Sequence, residues 1–142
     1  MSNAPQPDAK PWLNGVVSHR YRVVFGDTDQ MGVVYYGNYL QFFERGRVAY
    51  LRNVGFSYSD FQKNGRQLPV VDAQVKYSQP ARYEDLLEVE TRMSVLGKAR
   101  IGFEYTIYRL GPQQERLLLT SGSTTHACID LEGRQAQQRQ PD

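Results

Sequence analysis

The chain has 142 residues, with 17 Lys and Arg against 15 Asp and Glu and a formal net charge of +2. That length fits one domain with one core, and a charge so small and dispersed leaves no footprint for nucleic acid. One cysteine, Cys128, precludes an internal disulfide; with only two histidines, far apart, it forms no spaced ligand set, so no metal is expected.

Residues 1–14 and 132–142 read as polar tails, which places the folded domain over residues 15–131. The start lacks the apolar run of a signal peptide, and no segment approaches the roughly 18 apolar residues of a membrane span. A soluble cytoplasmic protein without a membrane partner is expected.

From Val17 to Phe25 the odd positions are mostly apolar and Ser18, Arg20 and Arg22 lie between them, the alternation of a half-buried strand. Asp27 and Asp29 follow, then a turn with Gly32 that leads into a helix. After Asn38 the period changes: Tyr39, Leu40, Phe42, Phe43, Gly46, Ala49, Tyr50, Leu51 and Val54 form one broad apolar stripe. Asn38 fits as its N-cap and Gly55 as its stop. Residues 56–65 read as a short helix or an ordered loop. From Leu68 the period returns to two through Val71–Tyr77, Leu87–Val95, Ile101–Ile107 and Leu117–Ile129. Links as short as the one around Pro80 predict antiparallel neighbours, a meander, and Gly122 predicts a bulge in the last strand. The fold class is therefore α+β, one long apolar helix covered by an antiparallel sheet.

Two carboxylates one residue apart, just before a helix start, place an acid beside backbone N–H donors that have no intrahelical acceptor. On this local sequence alone, an ordinary turn or capping carboxylate is the favoured reading of Asp29.

The run F-G-D-T-D-Q-M-G-V-V-Y-Y-G-N-Y at Phe25 to Tyr39, with F-F-E-R-G-R at Phe42 to Arg47 and the order of elements, resembles the hotdog-fold acyl-CoA thioesterases of the 4-hydroxybenzoyl-CoA and Tol-Pal-associated groups. The resemblance covers about Tyr21 to Asp130. It implies a hotdog fold, a long central helix wrapped by a five-stranded antiparallel sheet. It also implies subunits joined edge to edge with sites at their interface, as a homodimer or a homotetramer built as a dimer of dimers. The implied substrate is an acyl-CoA, and no cofactor is implied.

By the same resemblance the second aspartate, Asp29, is the reacting carboxylate, and the N–H of Tyr36 is the oxyanion donor. A thioester needs only an activated attacker and a stabilised oxyanion, so Asp29 can serve as general base or as nucleophile, and the sequence does not choose. Asp27 is expected to support Asp29 through loop hydrogen bonds, Gly32 to permit a tight turn or close substrate approach, and Asn38 to cap the helix. Some relatives carry a histidine where this chain has Tyr36, which leaves the backbone donor in place and the side chain free to line a pocket.

Glu44 and Arg47 are expected to form an ordinary surface or interface pair on the helix, and His19 and His126 to be structural. CoA phosphates need cations; by analogy with the family these are Lys98 and Arg100 in the turn between the third and fourth long strands, with Arg82 behind them. The acyl group depends on how Tyr58, Phe61 and Val70 fold over the site. Two other readings share these residues: a non-catalytic module that binds acyl thioesters, and a thioesterase for carrier-protein-bound acyl chains. A dehydratase would need a catalytic histidine in a motif that this chain does not show.

Overall fold

The computed structural model describes residues 15–56 and 58–130, without the side chains of residues 58, 60, 61 and 130. The two expected tails, and the side-chain roles expected of Tyr58 and Phe61, lie outside that description. In chain order the elements are β1 (Val17–Arg22), α1 (Tyr39–Asn53), α2 (Tyr58–Lys63), β2 (Arg66–Gln67), β3 (Val70–Tyr77), β4 (Leu86–Leu96), β5 (Arg100–Leu110), β6 (Arg116–Ala127) and β7 (Ile129–Asp130). Five of them form one antiparallel sheet in the order β1-β4-β5-β6-β3, and β2 pairs with β7 in a separate short ladder. A long helix on a five-stranded antiparallel sheet is the α+β hotdog arrangement that the sequence predicts.

Helix α1 buries Tyr39, Phe42, Phe43, Gly46, Tyr50 and Leu51 against Leu87, Val89, Phe103, Ile107 and Leu119 of the sheet. Burial of each such large apolar side chain contributes about 1.5–3 kcal/mol. Phe43 stacks flat on Tyr105 with ring centroids 4.3 Å apart. The close approach needs glycines on both sides. A Cβ at Gly46 would stand 2.8 Å from Val89 Cγ1, and one at Gly122 would stand 2.7 Å from the Phe43 ring. Gly122 therefore admits the helix. It is not a bulge: it pairs in regular register with Val75 and Tyr105, and the irregularities fall at Val70/Asp72, Met93/Val95 and Ile107/Tyr108.

At the end of α1, Gly55 has φ +87°, and Gly55 N–H donates to Arg52 O at 3.1 Å while Phe56 N–H donates to Leu51 O at 2.8 Å. These are the two bonds of a Schellman stop, as the glycine predicts. The start differs from expectation. Asn38 occupies the N-cap position but its side chain makes no capping bond; it donates instead to the Asp27 carbonyl at 2.7 Å. The helix start is thereby tied to the acidic loop.

Two further expectations are corrected. Strand β1 ends at Arg22, because Asp27 Oδ2 accepts the Val24 N–H at 2.9 Å and folds Phe25–Asp27 into a 3₁₀ turn, leaving Phe25 exposed. The sheet is not a simple meander either. Strand β3 pairs with β6 at one edge, while β4 lies beside β1, so residues 78–85 cross the end of the sheet. That crossover is anchored to the acidic loop by Val34 N–H to Ala81 O at 2.8 Å, Tyr83 N–H to Gly32 O at 3.3 Å and a bridge between Val33 and Arg82.

Candidate active site

The loop between β1 and α1 is built around its two aspartates, which do different things. Asp27 Oδ2 accepts both the Tyr21 hydroxyl at 2.7 Å and the Val24 N–H at 2.9 Å. Its carbonyl accepts Tyr35 N–H at 3.1 Å as well as the Asn38 amide. Burial, then the bond to Asp27, raises the Tyr21 hydroxyl above its ordinary pKa, so it stays a donor. Asp27 joins β1, the 3₁₀ turn and the start of α1.

Asp29 is exposed and closes its own turn. Its N–H donates to Val33 O at 2.8 Å, its carbonyl accepts Gly32 N–H at 3.1 Å, and Oδ1 accepts Met31 N–H at 2.8 Å and, at a longer 3.4 Å, Val33 N–H. Among the described residues Oδ2 has no such bond. Gly32 sits at φ +80°, and nothing lies within 4 Å of where its Cβ would be. The glycine therefore serves the backbone turn, since a side chain there would be conformationally strained.

Tyr36 opens the short 3₁₀ turn Tyr36–Asn38 that runs into α1, so its N–H has no intrahelical acceptor. The Tyr36 carbonyl accepts the Tyr77 hydroxyl at 3.1 Å. Its ring packs 4.9 Å from that of Tyr77, which in turn packs 5.2 Å from that of Tyr39. Tyr39 also accepts the Ala81 N–H at 3.1 Å. The sequence reading missed Tyr21, Tyr77 and Tyr39, which hold the loop to the sheet and the crossover. Their period identifies them only as strand and helix residues, and nothing local marks a hydroxyl that reaches across the fold.

The three expected phosphate cations are not brought together. Arg82 stands beside the loop through its bridge to Val33, and its N–H donates to Asp85 at 2.8 Å. Lys98 and Arg100 lie at the far end of β4, opposite the Leu86 end that meets β1 near the loop. Eleven residues of strand separate the two groups, about 36 Å.

Arg47 corrects another expectation. It does not pair with Glu44 on the surface; it is buried, and its Nη1 donates to the Tyr105 hydroxyl at 3.0 Å. From there a chain of bonds runs through Thr124 to His126 Nε2 at 2.9 Å, and His126 Nδ1 meets Leu68 O at 3.0 Å. Since a carbonyl only accepts, Nδ1 carries the proton. Burial lowers the His126 pKa, which keeps the ring neutral in this structural role.

One long helix on a five-stranded antiparallel sheet is the hotdog architecture, and the acidic turn is tied to the helix start. Residues 23–142 match the family model of the thioesterase-like superfamily. The chain is 37% identical over 120 residues to the acyl-CoA thioesterase YbgC of Haemophilus influenzae, covering 84% of this chain and 85% of that protein. It is 32% identical over 114 residues to the 1,4-dihydroxy-2-naphthoyl-CoA hydrolase of Thermosynechococcus vestitus, covering 80% and 75%. The crystal structure of a DHNA-CoA thioesterase from Staphylococcus aureus superposes with a TM-score of 0.77 at 32% identity, covering 89% of this chain and 85% of that one. The chain belongs to the thioesterase-like superfamily and is a thioester hydrolase. Among the described residues no helix is long and apolar enough to cross a membrane.

Proposed function

We propose that the protein hydrolyses acyl-CoA thioesters to free CoA and a carboxylic acid at the loop joining β1 to α1. The observation that carries this is the asymmetry of Asp29: Oδ1 is held by the backbone of its own turn, while Oδ2 is left without a partner among the described residues on an exposed loop that leads to the Tyr36 amide. Asp29 serves as general base toward water or as nucleophile toward the carbonyl. The Tyr36 N–H, at the positive end of the α1 dipole, receives the developing oxyanion. Asp27, Gly32 and Asn38 act through the shape of the loop.

The working form is a dimer, and β3 is the edge that supports it. Val70, Val71 and Tyr77 are exposed on this edge strand, whereas β1 turns Ser18, Arg20 and Arg22 outward. Every β3 residue but Val75 is exposed, and an open edge is a template for strand pairing. In an antiparallel pairing about a two-fold axis, the Tyr77 end of one β3 meets the Val70 end of the other. Since Val70 pairs with His126, and Arg100 with the adjacent Ala127, such a pairing brings the partner's Lys98 and Arg100 toward the Tyr77 end of this subunit's β3, the end tied to the loop.

Incubation with acetyl-, hexanoyl- and benzoyl-CoA should release free thiol in at least one case. Saturable binding without thiol release would instead make the chain a non-catalytic binding module. Release from acyl carrier protein but from no acyl-CoA would move the substrate class.

A further inference from the structure

The solvent side of α1 carries a feature that the sequence reading did not use. Gln41, Glu44, Arg45, Val48 and Arg52, with His19 of β1, line a cavity of about 350 Å³. Positions 41, 45, 48 and 52 follow the helical repeat and stack as one stripe. The Arg45 guanidinium lies 4.4 Å from the centre of the Tyr21 ring, which holds it in place. Arg20, Arg92, Arg109 and Arg116 each have a carboxylate partner. Arg45 and Arg52 have none among the described residues.

Glu44 opposes an anion here, but it shares the lining with two guanidinium groups, which leaves an excess of positive charge. His19 senses that excess: burial lowers its pKa, and Arg45 and Arg52 lower it further. A cavity with two arginines to one carboxylate, one arginine held by a ring, and a neutral imidazole suits a phosphate group. The spacing agrees with this. At 1.5 Å per residue, Arg45 and Arg52 lie roughly 14 and 24 Å along the helix from Tyr36, the scale of an extended arm between a thioester and its nucleotide.

We propose that this cavity receives a phosphate group of the CoA nucleotide, with Arg45 and Arg52 as its charge partners and His19 as a neutral hydrogen-bond partner, while the pantetheine arm follows α1 from the Tyr36 amide. The proposal rests on the acyl-CoA reading above. Its test compares an acyl-CoA with the matching S-acyl-pantetheine, which carries no phosphate on its arm. Arg52→Gln, which leaves Tyr21 and the loop untouched, and the double variant Arg45→Gln/Arg52→Gln should raise KM for the CoA thioester about tenfold or more with little change in kcat. KM for the pantetheine thioester should not move. Equal effects on both substrates, or none on the CoA thioester, overturn the proposal.

An independent readout is the His19 ring in a proton NMR titration. Adenosine 3′,5′-bisphosphate should raise its pKa in the wild type and not in the double variant, and an unchanged His19 overturns the proposal. A wild type that cleaves neither thioester removes the hydrolase reading, and the bisphosphate titration still decides the cavity.

Discussion

Replacing Asp27 by Ala separates the two aspartates by consequence. The carboxylate accepts the Tyr21 hydroxyl at 2.7 Å and the Val24 N–H at 2.9 Å, and bonds to a charged acceptor contribute about 1.5–3 kcal/mol each. Asp27 is only half-buried, so water replaces part of this, and a net loss of about 2 kcal/mol follows. For a domain of this size that corresponds to a fall in Tm on the order of 10 °C by calorimetry. Release of the 3₁₀ turn also lets Asp29 and the Tyr36 amide drift apart. A misplacement of about 1 Å costs on the order of 100-fold in kcat. Asp27→Asn keeps an oxygen that can accept both donors and should recover most of the stability and activity. An Asp27→Asn protein as stable as the wild type but inactive would refute this reasoning, because the Asp27 carboxylate would then be taking part in the reaction.

Gly122→Ala should lower stability by about 1–3 kcal/mol in denaturant unfolding, because its Cβ meets the Phe43 ring at 2.7 Å; Gly26→Ala, with open space at its Cβ, should change it by less than about 0.5 kcal/mol, and equal effects would contradict the packing. The folded-state pKa of His126 is lowered by burial, so the folded protein binds fewer protons there than the unfolded chain. Its contribution is complete above the unfolded value of about 6.5 and is lost as pH falls below it through the folded value. Denaturant midpoints at pH 7.5 and 5.5 should therefore fall further in the wild type than in His126→Gln. The same fall in both proteins would contradict the neutral, Nδ1-protonated ring; His19, also lowered, adds equally to both.

The helix and most of the long strands were legible because burial imposes their periods: α1 ends at Gly55 as its φ requires, and β4 and β5 follow the alternation over most of their length, whereas in β6 the register shift at Leu118–Thr120 moves the buried face to Thr120, Thr124 and His126, not the expected Thr125. What was not legible depends on contacts across the fold. The alternation continues through Val23 to Phe25, yet the bonds to Asp27 end the strand earlier. The link at residues 78–85 is short enough for a hairpin, and only the pairing of β3 with β6 reveals it as the crossover beneath the acidic loop. Gly122 looks like a bulge until Phe43 is seen against it. The acidic loop was legible as a candidate site because its residues are contiguous. Cations meant to converge on a ligand need not be, and Lys98 and Arg100 lie at the end of β4 away from the same subunit's loop.

The central claim is that the free oxygen of Asp29 drives thioester cleavage, and Asp29→Asn tests it most directly. The amide oxygen can take the place of Oδ1 toward the Met31 N–H, so the fold should be retained, with Tm within a few degrees of the wild type. The carboxylate chemistry is lost, so kcat for CoA release should fall by about 100- to 10,000-fold, with KM little changed. A folded Asp29→Asn protein that releases CoA at the wild-type rate would contradict the account.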